Sequence, residues 1–216
     1  MSKITPWDFF DCVFFINLPH RRDRKEQAMA EFEKVGLSEK VKLIYGEYNE
    51  KDGRVGLQKT LLDLFNYAYW KKMDRVLIFE DDVQFINDPI HKLKLALNDL
   101  KYSFDNKFDL LYFGATRTEP CMKVTNNLIL LKGGLAAHAI CYNHTVFEKY
   151  IKHLRRVVKH GYIATDADIS DVFLASEIQP KGNSYMIYPV IATQRPGYSD
   201  IEHRNTDYSF IHKSTY

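Results

Sequence analysis

The chain has 216 residues, of which 45% are hydrophobic, 14% aromatic and 27% charged, enough apolar material for one well-filled domain and a composition that excludes a disordered chain. Thirty Lys and Arg against 28 Asp and Glu leave a formal net charge of +2, too balanced for a general binder of nucleic acid or anionic membrane, so any charge-driven function must be local. No segment approaches the roughly 18 apolar residues of a membrane span, and Met1 to Asp11 lacks the basic start and apolar core of a signal peptide, so a cytoplasmic protein is expected, with peripheral membrane association left open.

The first element is the apolar, β-rich run Cys12 to Ile16, which predicts a strand buried on both faces. Helical periodicity follows over Lys25 to Val35, a short strand over Val41 to Tyr45, and a helix over Leu57 to Trp70 with Leu61, Leu64, Phe65 and Ala68 on one face. Val76 to Phe79 is a second doubly buried strand. Ile90 to Tyr102 reads as helix, Asp109 to Phe113 and Ala137 to Tyr142 as strands, and Thr145 to Val158 as helix. Thr145 and Glu148 have capping-box spacing there, and Asn143 competes for the cap. Thr165 to Ala175 predicts a helix with an acid-rich first turn, Tyr185 to Ile191 an extended segment interrupted by Pro189, and the tail an irregular loop packed on the domain. This alternation predicts an α/β domain, a mostly parallel central sheet with helices on both faces. Repeats and interdomain linkers are absent, so one domain is expected, with the variable loops at Gly46 to Gly56 and Ala115 to Asn127. Cys12, Cys121 and Cys141 are odd in number and scattered, which argues against a disulfide framework or a structural zinc site.

The triplet Glu80-Asp81-Asp82 follows the strand Val76 to Phe79. Ligands of open parallel sheets gather at the carboxyl ends of strands, and carboxylates there suit a hard divalent cation that shares its shell with substrate phosphate. The triplet also reads as a solvated acidic turn. After the first strand comes His20-Arg21-Arg22-Asp23-Arg24, a basic cluster at a helix start, where cations are mildly unfavourable unless an anion compensates. A bound phosphate or a pairing with Asp23 would serve. Asp166, Asp168 and Asp171 surround one predicted helix start; the first two suit dipole complementation, whereas Asp171 sits deeper and, on one face with Asp168, is a candidate base. His138 lies within a strand, where a histidine is more often a core residue than a reactive one. Gln194 to His203 mixes a glycine turn, carboxylates and a histidine able to ligate a metal, as a surface loop also does.

Six collinear pieces carry a resemblance. They are Phe15-Ile16-Asn17-Leu18 with Asp23-Arg24, Val76 to Val83 with its acidic triplet, Asp109 to Gly114, His138 to Tyr142, Asp171 to Leu174, and Tyr188-Pro189 with Gly197 to Glu202. Together they cover nearly the whole chain, which resembles glycosyltransferase family 25, the lipopolysaccharide-type and procollagen galactosyltransferase group. The resemblance implies a GT-A fold with a nucleotide-binding half over about 1–115 and an acceptor half over about 116–216. It also implies a UDP-sugar donor, Mn²⁺ or Mg²⁺, inversion at the anomeric carbon, and a glycan, lipid-linked sugar or protein as acceptor. Carried over, Asn17, Arg24, Glu80, Asp81 and His138 fall at donor-binding positions, Asp82 at the metal position with Asp200 or His203 as further ligands, and Asp171 at that of the base with Asp168 in reserve. One departure is Gly56-Leu57-Gln58-Lys59-Thr60, where Lys59 stands in place of the family's Ser-His pair. A binding module of the same fold without turnover is the main alternative, and a metal-dependent phosphohydrolase a third.

Overall fold

The apolar runs form the centre of the computed structural model, which describes residues 4–117, 121–208 and 210. A short 3-10 helix over Pro6–Phe9 precedes β1 (Cys12–Asn17), α1 (Arg22–Lys34), β2 (Val41–Tyr45), α2 (Gly53–Trp70), β3 (Arg75–Glu80), β4 (Val83–Phe85) and α3 (Pro89–Phe104). There follow β5 (Leu110–Tyr112), β6 (Thr116–Arg117), β7 (Met122–Lys123), β8 (Leu128–Leu130), β9 (Gly134–Leu135) and β10 (Ala139–Asn143). The chain continues through α4 (Phe147–His160), α5 (Ser170–Phe173), β11 (Ser184–Ile187), β12 (Ala192–Gln194), β13 (Gly197–Ser199) and β14 (Arg204–Thr206). Among the described residues the main sheet has eight strands in the order β2-β1-β3-β10-β5-β11-β8-β7. β10 and β8 run against the other six, so the sheet is mostly parallel and flanked by helices.

Alternation along the strands builds two cores. Cys12, Phe14 and Ile16 of β1, Val76 and Ile78 of β3, and Leu110 and Tyr112 of β5 face the layer of α2, α4 and α5. Val13, Phe15, Leu77, Phe79 and Leu111 face α1 and α3. Phe65 locks α2 onto α4 edge-on, its ring centre 4.9 Å from Tyr142, 5.3 Å from Phe147 and 5.0 Å from Tyr150. Removing such a ring from a core costs about 3–5 kcal/mol.

Local chemistry sets the element ends. The Asp52 carboxylate caps α2 by accepting from the Arg54 N–H (3.0 Å). Asn143, rather than the Thr145–Glu148 box, opens the segment before α4: it accepts from the Thr145 N–H (3.3 Å), while Glu148 receives the Tyr69 hydroxyl (2.8 Å). α4 ends on Gly161 at φ +74, a left-handed cap that favours glycine.

Three expectations differ from the structure. The acidic triplet does not wholly follow a strand, since Glu80 is the last residue of β3. The predicted helix over Thr165 to Ala175 is broken: a 3-10 turn covers Asp166–Asp168, Ile169 is extended (φ −73, ψ 133), and only then does α5 begin. A Thr165/Asp168 capping box opens the first turn and the extended Ile169 ends it, so Asp168 and Asp171 do not share a helix face. The tail is not irregular. β12 pairs with β4, and β13 with β14, both antiparallel. Residues 118–120 of the variable loop, and 209 and 211–216 of the tail, lie outside the described residues.

Candidate functional site

β1 and β3 are parallel neighbours with Ile16 opposite Glu80, so Asn17 and the acidic triplet emerge at the same edge of the sheet. There the first turns of α1 and α2, α5 and the tail hairpin enclose a cavity of about 500 Å³. Asn17, Arg24, Glu80, Asp81, Asp82 and Asp171 all line it. Asp200 lines it as well. His138, Asp168 and His203 are not brought to its wall.

Burial dominates the acidic triplet. It raises the Glu80 carboxyl well above the usual range, helped by the neighbouring charges of Asp82, Asp81 and Asp171. Burial also lifts Asp81 to about 6, against the pull of Arg24, and lifts Asp82 in the same direction. Arg24 donates to Asp81 (2.7 Å) and, through its other terminal nitrogen, to the Tyr198 carbonyl (2.7 Å). Gln194 donates to Asp82 Oδ2 (3.1 Å), while Asp82 Oδ1 is buried without a hydrogen-bond partner. Three carboxyls held up by burial beside a single close guanidinium form a site short of positive charge.

The basic cluster is compensated within the chain. Arg21 holds Asp23 with two bonds (3.0 and 2.9 Å), pairs with Asp200 and donates to the Tyr198 carbonyl (3.2 Å). Asp200 is therefore engaged in fastening the tail to α1. His203, at φ +53, is exposed on the same hairpin.

Asp171 stands across the cavity. Its carboxylate accepts from the Val172 N–H (2.9 Å) and the Ala136 N–H (3.2 Å). Ala136 has φ +77, a left-handed conformation that costs a non-glycine residue about 1–3 kcal/mol. Asp168 is occupied elsewhere. It accepts from the N–H groups of Ala164 and Thr165 (3.0 Å each) and pairs with Arg156 (2.7 Å). Burial opposes its ionisation, but these donors outweigh it and hold its carboxyl below the usual range. The pairing with Asp171 fails because the extended Ile169 separates them. His138 is wholly buried, and burial depresses its ring to about 4; its contribution is a carbonyl that receives the Glu80 N–H (3.0 Å). Lys59 turns to Glu47, while its neighbour Gln58 lines the cavity and donates to the Asp168 carbonyl (2.7 Å).

Sequence reasoning gave no role to Gln58, Gln194, Ala136 or Tyr208, all on the cavity wall. Gln58 and Gln194 adjoin residues that drew notice for their charge. Ala136 carries no signal, because only its backbone angle distinguishes it.

No model of a known protein family matches this sequence, and no curated protein does. The chain is similar in structure to A197 from STIV, with 12% identity over 91% of this chain and 95% of that one and a TM-score of 0.47. It is also similar to a glycosyltransferase involved in the glycosylation of the major capsid of PBCV-1 (9% identity, 82% of this chain and 80% of that one, TM-score 0.49). A mannose-1-phosphate geranyltransferase from Thermus thermophilus gives 9% identity over 82% and 72% of the two chains, with a TM-score of 0.45. These are likenesses of architecture.

Proposed function

We propose that the cavity is the donor and acceptor site of a nucleotide-sugar-dependent glycosyltransferase. The reaction moves a hexose, galactose or glucose, from a UDP-sugar to a hydroxyl of a glycan, lipid-linked sugar or protein, with inversion. One juxtaposition supports this reading: the acidic triplet, the Arg24 guanidinium and the Asp171 carboxylate line a single cavity.

The donor set fits a divalent cation. Its oxygens are hard, Asp82 Oδ1 is buried without a partner, and three carboxyls stand beside one close guanidinium. Among the described residues no three His, Cys, Asp or Glu side chains are grouped to hold a metal by themselves, so Mn²⁺ or Mg²⁺ would have to be held by one or two carboxylates and complete its shell with water and substrate phosphate. Asp82 would hold the ion, with Glu80 and Asp81 towards the ribose or donor sugar; when bound, the ion supplies Lewis-acid neutralisation of charge on the diphosphate leaving group. Arg24 presents a guanidinium suited to phosphate oxygens. Asp171, oriented by two backbone N–H groups, takes the proton of the attacking hydroxyl. The hairpin fastened by Arg21 and Arg24 keeps water from the donor.

The test is UDP release from a panel of UDP-sugars with Mn²⁺, with and without EDTA and acceptors, for the natural chain and for Asp171→Asn. Acceptor-dependent release that EDTA abolishes is expected, with Asp171→Asn slowing it roughly 10²–10⁴-fold at little cost in UDP affinity. UDP-sugar binding without turnover across the acceptors would make the chain a binding module. Phosphate or sugar phosphate released without acceptor would make it a phosphohydrolase, and an unchanged rate in Asp171→Asn would remove the base assignment.

A further inference from the structure

The helical layer of α2 and α4 has an outer face that the cavity does not use. The two helices are antiparallel neighbours: Tyr69 near the end of α2 donates to Glu148 in the first turn of α4 (2.8 Å), while Gln58 in the first half of α2 and Arg156 late in α4 both reach Asp168. Three aromatic side chains stand in solvent at the end of α2, Trp70 at 72% exposure, Tyr69 at 52% and Tyr67 at 43%. Lys71 Nζ lies 4.6 Å from the Trp70 ring centre and 5.9 Å from that of Tyr67. On the neighbouring helix α4 presents Lys152, Arg155 and Lys159, all exposed and spaced three and four apart, hence on one stripe that runs from near the aromatic cluster towards the first half of α2.

These charges are uncommitted. Lys149 and Arg156 on the flanks of the stripe are paired with Glu177 (2.8 Å) and Asp168 (2.7 Å). Among the described residues no carboxylate pairs with Lys71, Lys72, Lys152, Arg155 or Lys159, and the exposed acids nearest to them are Asp63, Glu148, which already receives Tyr69, and Asp74, which lies 3.5 Å from His144. Five cations against three carboxylates make a local positive surface on a chain whose net charge is only +2.

We propose that this face docks on an anionic lipid bilayer, with Trp70 and its tyrosines at the headgroup level and the α4 stripe on the lipid phosphates. Amphipathic aromatic rings settle at that boundary, and each Lys or Arg near an anionic surface adds about 1 kcal/mol. The helices then lie along the surface. The cavity is walled by residues of α2 between Gly53 and Thr60, about 15–26 Å from Trp70 along the helix at 1.5 Å per residue, and leaves the aromatic cluster free whether or not the proposed transfer is correct.

The chain's two tryptophans make the test specific, because Trp7 is 1% exposed and Trp70 is 72%. The full chain is sedimented with sucrose-loaded vesicles of phosphatidylcholine and phosphatidylglycerol at 3:1, and with phosphatidylcholine alone, at low salt and in 0.5 M NaCl. Expected are binding to the anionic vesicles only, release by salt, and a shift of tryptophan emission to shorter wavelength that Trp70→Ser abolishes. Replacing Lys152, Arg155 and Lys159 with Gln should weaken partitioning on the order of 100-fold, whereas Lys152→Arg with Lys159→Arg retains it. These side chains are exposed, and circular dichroism checks that each variant is folded. Protein left in the supernatant with anionic vesicles, equal binding to phosphatidylcholine alone, or a triple variant that binds like the natural chain would overturn the proposal. So would bound protein with unshifted emission, or a dimer lost in Trp70→Ser without vesicle binding, which would give this face to a second copy.

Discussion

Asp81 illustrates how one carboxyl is pulled two ways. Burial lifts it to about 6 from an ordinary 3.8, and Arg24 at 2.7 Å moderates the rise. A raised carboxyl means that the native state holds more protons than the unfolded one between about pH 4 and 6, so stability from this group falls as pH rises through that window. His138 and His153 act in the opposite sense. Burial depresses both to about 4, so the unfolded state holds more protons there and stability rises with pH. The natural chain's profile therefore mixes the two, and the difference from Asp81→Asn removes the histidines and leaves the Asp81 carboxyl together with its effect on Glu80, which acts in the same direction. Relative to the natural chain, Asp81→Asn should gain on the order of 1–3 kcal/mol between pH 4 and pH 7, measured by urea unfolding at both. A difference that stays constant, or moves the other way, would show that burial of Asp81 does not govern its charge.

At the scale of elements, the wall of the cavity depends on how closely α2 approaches the loop after β2. A Cβ on Gly56 would stand 2.2 Å from the Glu47 carbonyl oxygen, so only glycine fits there. Thr60, one turn on, bonds the same loop: its hydroxyl accepts from the Glu47 N–H (2.8 Å) and donates to the Gly56 carbonyl (3.0 Å). Gly56→Ala should cost about 1–3 kcal/mol in urea unfolding, the usual penalty for overpacking, and weaken UDP binding by displacing Glu47, Tyr48 and Asn49 from the cavity wall. Unaltered stability would mean that the loop yields freely. The strands and long helices were legible in the sequence because burial on one or both faces leaves a period, as in Cys12 to Ile16 and Leu57 to Trp70. The acidic triplet was legible because the strand before it is so apolar. The break at Ile169 was not, since a capping box and a continuing helix use the same residue types, and the tail strands were hidden because β13 and β14 carry no buried face.

For the whole molecule, Glu31 ties three parts of the fold together. It is 2% exposed on α1, yet its carboxylate accepts from the Phe85 N–H of β4 (3.0 Å) and pairs with Lys34 (2.7 Å) and with Arg195 at the head of the tail (3.2 Å). Arg195 in turn donates its backbone N–H to the Asp82 carbonyl (2.6 Å), so α1, whose first turn walls the cavity, also sets the height of the acidic triplet from further along its length. A buried carboxylate stabilises little in net terms, but removing one partner strands the other. Glu31→Ala should therefore destabilise the chain by about 3 kcal/mol, at the low end for buried pairs because Arg195 keeps some contact with water. Arg195→Met in that background should recover part of the loss, since no guanidinium is then left unpaired. The double-mutant cycle, read by urea unfolding, should give a coupling of about 1–3 kcal/mol. Strict additivity would mean that Glu31 holds β4 and the tail independently, and the tail would then have no mechanical hold on Asp82 through this pair.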